Sequence, residues 1–162
     1  KWVRPELWHL TLQFLGDWPV DGVTELQEAL NRESRLHGPL QLEPGGIGAF
    51  PNPRAPRVLF LHLDGGPALD DLAAGVRRRI GRLASGPLAG RVRPDTKKFR
   101  PHLTLARIKQ TLPKSRRELL MGLNLEKWTS LEISDFRLIR SQLGPSGPRY
   151  EDLAVFGLGG GR

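Results

Sequence analysis

Two stretches decide how this chain is read: Leu7-Trp8-His9-Leu10-Thr11-Leu12-Gln13-Phe14 and Pro101-His102-Leu103-Thr104-Leu105-Ala106-Arg107-Ile108. Both contain His-Leu-Thr-Leu, and the two copies use two of only four histidines. Apolar and polar residues alternate with period two in each, which predicts a strand. In a strand, residues i and i+2 share a face. His9 and Thr11 then point one way and Leu10 and Leu12 the other, and His102 with Thr104 repeats the pattern against Leu103 and Leu105. Each strand presents an imidazole beside a hydroxyl, with leucines turned toward a core. Strands facing each other would form a cleft lined by two histidines and two threonines.

Working outward, the first motif strand is expected over 7–15, closed by Gly16-Asp17. Helical spacing of Val23, Leu26 and Leu30 predicts a helix over 20–36, with Asp21 as its cap and His37 at its end. A short strand is expected at 40–42. Gly45-Gly46-Ile47-Gly48 reads as a turn, since it lacks the Lys-Ser/Thr and the helix of a phosphate loop. The apolar run 57–63 predicts a strand, in which His62 reads as structural or surface. Leu69, Leu72, Val76, Ile80 and Leu83 predict a helix over 67–83, opened by Pro67. After a Gly/Pro/basic loop at 85–100 come the second motif strand, a helix over 114–122, and strands over 131–141 and 150–158 forming a hairpin. The order suggests two similar halves, each with a motif strand, a helix and a strand pair. A duplicated, two-lobed α+β fold follows. Residues 1–158 are expected to form a single bilobal domain, and 159–162 a disordered tail.

The chain has 162 residues and no cysteine, which removes disulfides, thiolate nucleophiles and cysteine-ligated metals. No run is long and apolar enough to span a bilayer, and no signal-peptide pattern opens the sequence; a cytoplasmic protein without membrane contact is the expectation. Lysine and arginine number 25 against 17 acidic residues, for a net charge of +8. The excess gathers around the second motif, in Arg91, Arg93, Lys97, Lys98, Arg100, Arg107, Lys109, Lys114, Arg116 and Arg117. Asp95 is the only acidic residue between Arg91 and Arg117. Such a block is the electrostatic footprint of a polyanion.

Two imidazoles can divide proton transfer at neutral pH, one as general base and one as general acid. In-line attack on a phosphodiester needs that division. Threonine hydroxyls and basic side chains can meet the charge that grows on the non-bridging oxygens. Neither motif contains a carboxylate, so a Ser-His-Asp arrangement is not suggested. Two histidines without a clear third ligand make a poor metal site.

These residues resemble those of the two-histidine phosphoesterases, and in particular the RNA 2′,3′-cyclic phosphodiesterases, also called 2′-5′ RNA ligases. The resemblance extends to Arg4-Pro5-Glu6, Phe14-Leu15-Gly16, Phe99-Arg100-Pro101, Ala106-Arg107 and Tyr150-Glu151-Asp152-Leu153-Ala154-Val155-Phe156, and so covers nearly the whole chain. It implies an α+β, bilobal, pseudo-symmetric fold of two antiparallel sheets with outer helices around a central cleft. It also implies metal-independent opening of RNA 2′,3′-cyclic phosphate ends to 2′-phosphomonoesters, with reverse 2′-5′ ligation as a related activity. Carried onto this chain, His9 becomes the proton donor and His102 the proton acceptor. Thr11 and Thr104 hold the phosphate, with Arg107 beside them. Arg107 lies three residues past Thr104, so strict alternation takes it off the motif face unless the strand bulges near Ala106. Arg100, Lys97, Lys98 and Lys109 are expected to gather the RNA strand. No cofactor is required by this chemistry, and no ATP or GTP site is assigned. The expected partners are RNAs with cyclic phosphate ends, such as tRNA fragments, acted on by a monomer. Relatives usually carry a strand and a helix before the first motif, and the natural protein is expected to have them too. Two other readings are a non-catalytic RNA- or nucleotide-binding module, and an enzyme acting on a small cyclic phosphate of the ADP-ribose type.

Overall fold

The computed structural model describes residues 1–123, 129–144 and 147–159. The elements run α1 (Val23–Ser34), β1 (Leu40–Phe50), β2 (Val58–Asp64), α2 (Gly66–Ser85), β3 (His102–Arg107), α3 (Lys114–Met121), β4 (Leu131–Ile133), β5 (Asp135–Gly144) and β6 (Gly147–Gly157). One sheet has the order β3-β2-β1-β4, and β5 and β6 pair as a separate antiparallel hairpin. The α+β class expected from the sequence is therefore observed, with two antiparallel sheets and helices. The expected hairpin turn at Pro145-Ser146, and the tail at 160–162, lie outside the described residues.

The chain divides into two compact units. One holds Lys1–Leu12, Gln41–Gly66 and Lys98–Leu131; the other holds Gln13–Leu40, Pro67–Lys97 and Glu132–Arg162. Both His-Leu-Thr-Leu motifs fall in the first unit, so the copies do not mark one half each, as the order of elements had suggested.

In the first unit, β2 carries the sheet. Leu59, Leu61 and Leu63 are buried, while His62 and Asp64 are exposed. The leucines fill one face with period two, and on the other face Phe60 is buried as well, ahead of the exposed His62 and Asp64. Ala49, Leu59 and Ala106 bury together against Ile108 and against Leu120 and Met121. The last two come from α3 and cover that face of the sheet. The glycine run read as a turn is part of β1, with a register irregularity between Pro44 and Ile47. Glycine weakens a strand on its own, so its presence marks close approach by something else; rings from β2 fill that place, as described below.

In the second unit, α1 and α2 bring apolar residues predicted from their spacing into the core: Leu26, Leu30, Leu69, Leu72, Val76 and Ile80. The amide of Gln27 donates to the Leu153 carbonyl at 3.1 Å and ties α1 to β6. Glu33 of α1 is 2% exposed. Arg79 Nε of α2 donates to it at 2.7 Å, and His37 Nε2 lies 3.2 Å from its other oxygen. Burial raises the Glu33 carboxyl, but the hydrogen bonds from Arg79 and His37 outweigh this and hold it below its ordinary value. Gly75 gives the carboxylate room, because a Cβ there would collide with Glu33 Oε1. Asp21 is not the helix cap expected. It sits in a 3-10 turn, Val20–Gly22, ahead of α1 and makes no capping bond. Arg91 instead donates to both its oxygens, at 2.7 and 2.9 Å.

Candidate active site

β3 forms as predicted, and the first motif does not form a strand. Pro5 starts a 3-10 turn, Pro5–Leu7, and of the first motif only Leu10 bridges, pairing antiparallel with Leu103. Pro has no amide hydrogen and favours a turn start over a ladder position. The motif is nevertheless held beside β3. Earlier in the segment, Trp2 bridges Ala106, and the backbones of Lys1 and Val3 bond to those of Arg107 and Leu105.

The single Leu10–Leu103 bridge fixes the relation of the two motifs. With Leu10 opposite Leu103, antiparallel register sets His9 level with Thr104 and Thr11 level with His102. Each histidine thus lies beside the other copy's threonine. The imidazoles are oriented in the same way. His9 Nδ1 is 2.8 Å from the Leu7 carbonyl, and His102 Nδ1 is 2.6 Å from that of Arg100. In both cases the partner is the carbonyl two residues back. A carbonyl oxygen only accepts, so each Nδ1 carries the hydrogen. His102, Thr104 and Thr11 are half-buried, and His9 is exposed.

Arg107 joins this face because β3 bulges where alternation demanded it. Thr104 pairs with Phe60, but Ala106 pairs with Leu59 and Arg107 with Val58; the register shifts between Leu59 and Phe60. Val58, Phe60 and His62 share one face of β2, and residues paired across strands share a face. His102, Thr104 and Arg107 therefore line up on one side despite the odd spacing.

The sequence reading missed the rest of this face. Phe50 and Phe60 stack with centroids 4.3 Å apart, and each meets the His102 ring near edge-on at 5.2 Å. His62 meets Phe60 near edge-on at 4.9 Å. These rings rest on β1 where it has no side chain: a Cβ on Gly48 would collide with the Phe60 ring and come within 2.9 Å of His62 Nε2. The signal was the alternation Val58-Phe60-His62-Asp64, hidden because the intervening leucines made the run look uniformly apolar.

Of the basic residues, Lys98, Arg100, Arg107 and Lys109 are exposed in the first unit. Arg100 contributes its carbonyl to His102. Lys97 belongs to the second unit. Its amide donates to Asp95 Oδ1 at 2.9 Å, its ammonium lies 3.4 Å from Oδ2, and Arg77 donates to its carbonyl. The Lys97 amide and then its charge hold the Asp95 carboxyl below its ordinary value. Among the described residues no group of three or more His, Asp or Glu is placed to hold a metal ion, and no helix is long and apolar enough to cross a membrane.

Two imidazoles, each level with a threonine, and one arginine on the His102 face are the groups that chemistry on a phosphoester would need. The chain belongs to the LigT-like phosphoesterase family, whose model matches residues 1–60 and 68–150. An RNA 2′,3′-cyclic phosphodiesterase of Archaeoglobus fulgidus is 35% identical over 96% of this chain and 82% of its own length. The crystal structure of TT0787 of Thermus thermophilus matches with a TM-score of 0.83 and 34% identity over the whole chain and 84% of that protein. Escherichia coli LigT, solved in complex with 3′-AMP, matches with a TM-score of 0.69 and 25% identity over 98% of this chain and 81% of LigT.

Proposed function

We propose that this protein is an RNA 2′,3′-cyclic phosphodiesterase, acting through one domain that spans residues 1–158. The observation that carries the proposal is the Leu10–Leu103 bridge, which sets each motif histidine level with the other motif's threonine. The activity printed for its relatives, from Archaeoglobus fulgidus among others, supports the same reading.

His102 Nε2 takes a proton from water as the water oxygen bonds to phosphorus. The P–O3′ bond breaks in line with that attack, and His9 Nε2–H protonates the departing 3′ oxygen. The product is a 2′-phosphomonoester, and both imidazoles return to their starting state by exchanging a proton with solvent. Thr11 and Thr104 donate to the non-bridging oxygens, and Arg107 offsets their charge. Throughout, the carbonyls of Leu7 and Arg100 keep each ring in one tautomer and steady it as imidazolium. No metal is needed for this division of labour. With a 5′-hydroxyl in place of water, the same step joins ends: the 5′ oxygen bonds to phosphorus, its proton passes to His102, the P–O3′ bond breaks, His9 protonates the 3′ oxygen, and a 2′-5′ diester results. Arg100, Lys98, Lys109 and Lys97 attract the RNA strand, with Lys97 the weakest because Asp95 offsets it. The partners are RNAs with cyclic phosphate ends, and the enzyme works as a cytoplasmic monomer.

The test is product analysis on RNA oligomers ending in 2′,3′-cyclic phosphate. Conversion to a 2′-phosphate end is expected. Binding without turnover would instead make the chain a nucleotide-binding module.

A further inference from the structure

Within the proposed phosphodiesterase reading, on which this inference rests, one exposed side chain on the histidine face has no part in proton transfer. His62 stands directly opposite His102 in the β2–β3 register, above the bulge, so both imidazoles project from the same face one strand apart. We infer that His62 is the nucleobase-binding residue of this site: it stacks on the base of the nucleotide whose cyclic phosphate lies at His102 and Thr104.

Its seat is specific. The His62 ring meets Phe60 near edge-on, and Phe60 meets His102 in the same way. His62 therefore touches the ring that supports His102 and still remains exposed. Gly45 and Gly48 let it lie against β1, since a Cβ on either would come within 3.0 and 2.9 Å of the His62 side chain. Strand glycines that admit an imidazole weaken the strand, and a ring with no role would not need them.

The ligand follows from charge and ribose geometry. In a 2′,3′-cyclic nucleotide the phosphate and the base leave neighbouring carbons of one sugar. A base then falls about one strand spacing from the phosphate, which is where His62 stands relative to His102. Beyond His62 on the same face come Asp64 and, opposite it, Glu43. Asp64 accepts from the Gly66 amide at 2.8 Å. Two carboxylates disfavour a second phosphate there and favour hydrogen-bond donors. Unstacked bases are commonly held on aromatic or histidine rings, and a carboxylate accepts from the amino group of cytosine. Uracil offers a carbonyl at that position, so cytosine should be preferred.

Turnover of cytidine and uridine 2′,3′-cyclic monophosphates tests the assignment. His62→Ala should raise KM about tenfold for both with kcat retained, the size expected for one stacked base, and His62→Phe should restore KM. The wild-type protein should favour the cytidine substrate, and Asp64→Asn should remove that preference. An unchanged KM in His62→Ala, a loss confined to kcat, or no rescue by phenylalanine overturns the inference. Equal use of the two substrates by the wild-type protein overturns the part given to Asp64. Calorimetric binding of cytidine 2′-monophosphate and of inorganic phosphate separates this from the phosphodiesterase reading. If nothing is turned over, that reading fails. The base seat still stands if His62→Ala weakens the nucleotide about tenfold and leaves inorganic phosphate unchanged, and it falls if the two ligands respond alike.

Discussion

His9 and His102 hold their rings by the same device, an Nδ1–H bond to the carbonyl two residues back. Under the proposed mechanism, removing either imidazole takes away a proton-transfer group, and the neighbouring leucines are left in place. His9→Ala and His102→Ala are each expected to lower kcat by about 10²–10⁴-fold with unchanged thermal unfolding. Near-wild-type turnover in a folded variant would end the two-histidine mechanism. Arg107 makes a sharper case, because its place depends on one irregularity in β3. Arg107→Ala should impair a cyclic mononucleotide and a long RNA alike, whereas Lys98→Ala and Lys109→Ala should weaken only the RNA at low salt. Each lysine removed should reduce the slope of log affinity against log salt by ~0.7, the counterion-release value for single strands. If Arg107→Ala leaves the mononucleotide reaction intact, Arg107 belongs with the strand-gathering charges.

Among the elements, the α1–α2 pair offers the clearest energetic test. Glu33 is charged, buried and matched by Arg79 and His37. Glu33→Ala strips the partly exposed Arg79 and His37 of their acceptor, at a cost of about 1–3 kcal/mol, and should lower the unfolding free energy by that order in a denaturant titration. Gly75→Ala should cost about 1–3 kcal/mol by pushing a methyl into the carboxylate. The pH dependence has a definite sign. The folded Glu33 carboxyl lies below its unfolded value, so the stability it contributes is fully present above the unfolded value. That contribution is lost as pH falls through the folded one. Stability should thus decline on the acid side more steeply in the wild type than in Glu33→Gln, and parallel acid unfolding of the two would contradict this. In the sheet, Gly48→Ala should displace the Phe60 ring, and through it His102, lowering kcat without lengthening or shortening β1.

For the whole molecule, the proposed mechanism draws its proton-transfer groups and phosphate-binding hydroxyls from side chains alone. Full activity is therefore expected after EDTA treatment, measured on a cyclic mononucleotide. Activity lost on chelation and restored by one divalent ion would assign the histidines to a metal instead.

The sequence by itself determined the strand that carries His102 and Thr104, the apolar faces of α1 and α2, and the class of fold. Those features depend on spacing along a few residues, where period two or period 3.6 is set by backbone geometry. Tertiary structure decided the rest. The 7–15 segment reads as a strand by alternation, yet only Leu10 pairs, because a strand needs a neighbour along its length. The glycines at 45–48 read as a turn by composition, and become strand because the rings of Phe60 and His62 occupy the space side chains would need. Arg107 reaches the site through a bulge that no residue in β3 announces, since register is a property of two strands and not of one. His62 looked like a surface histidine for the same reason: what sets it apart is its cross-strand partner, His102, and pairing over that distance is decided only when the chain folds.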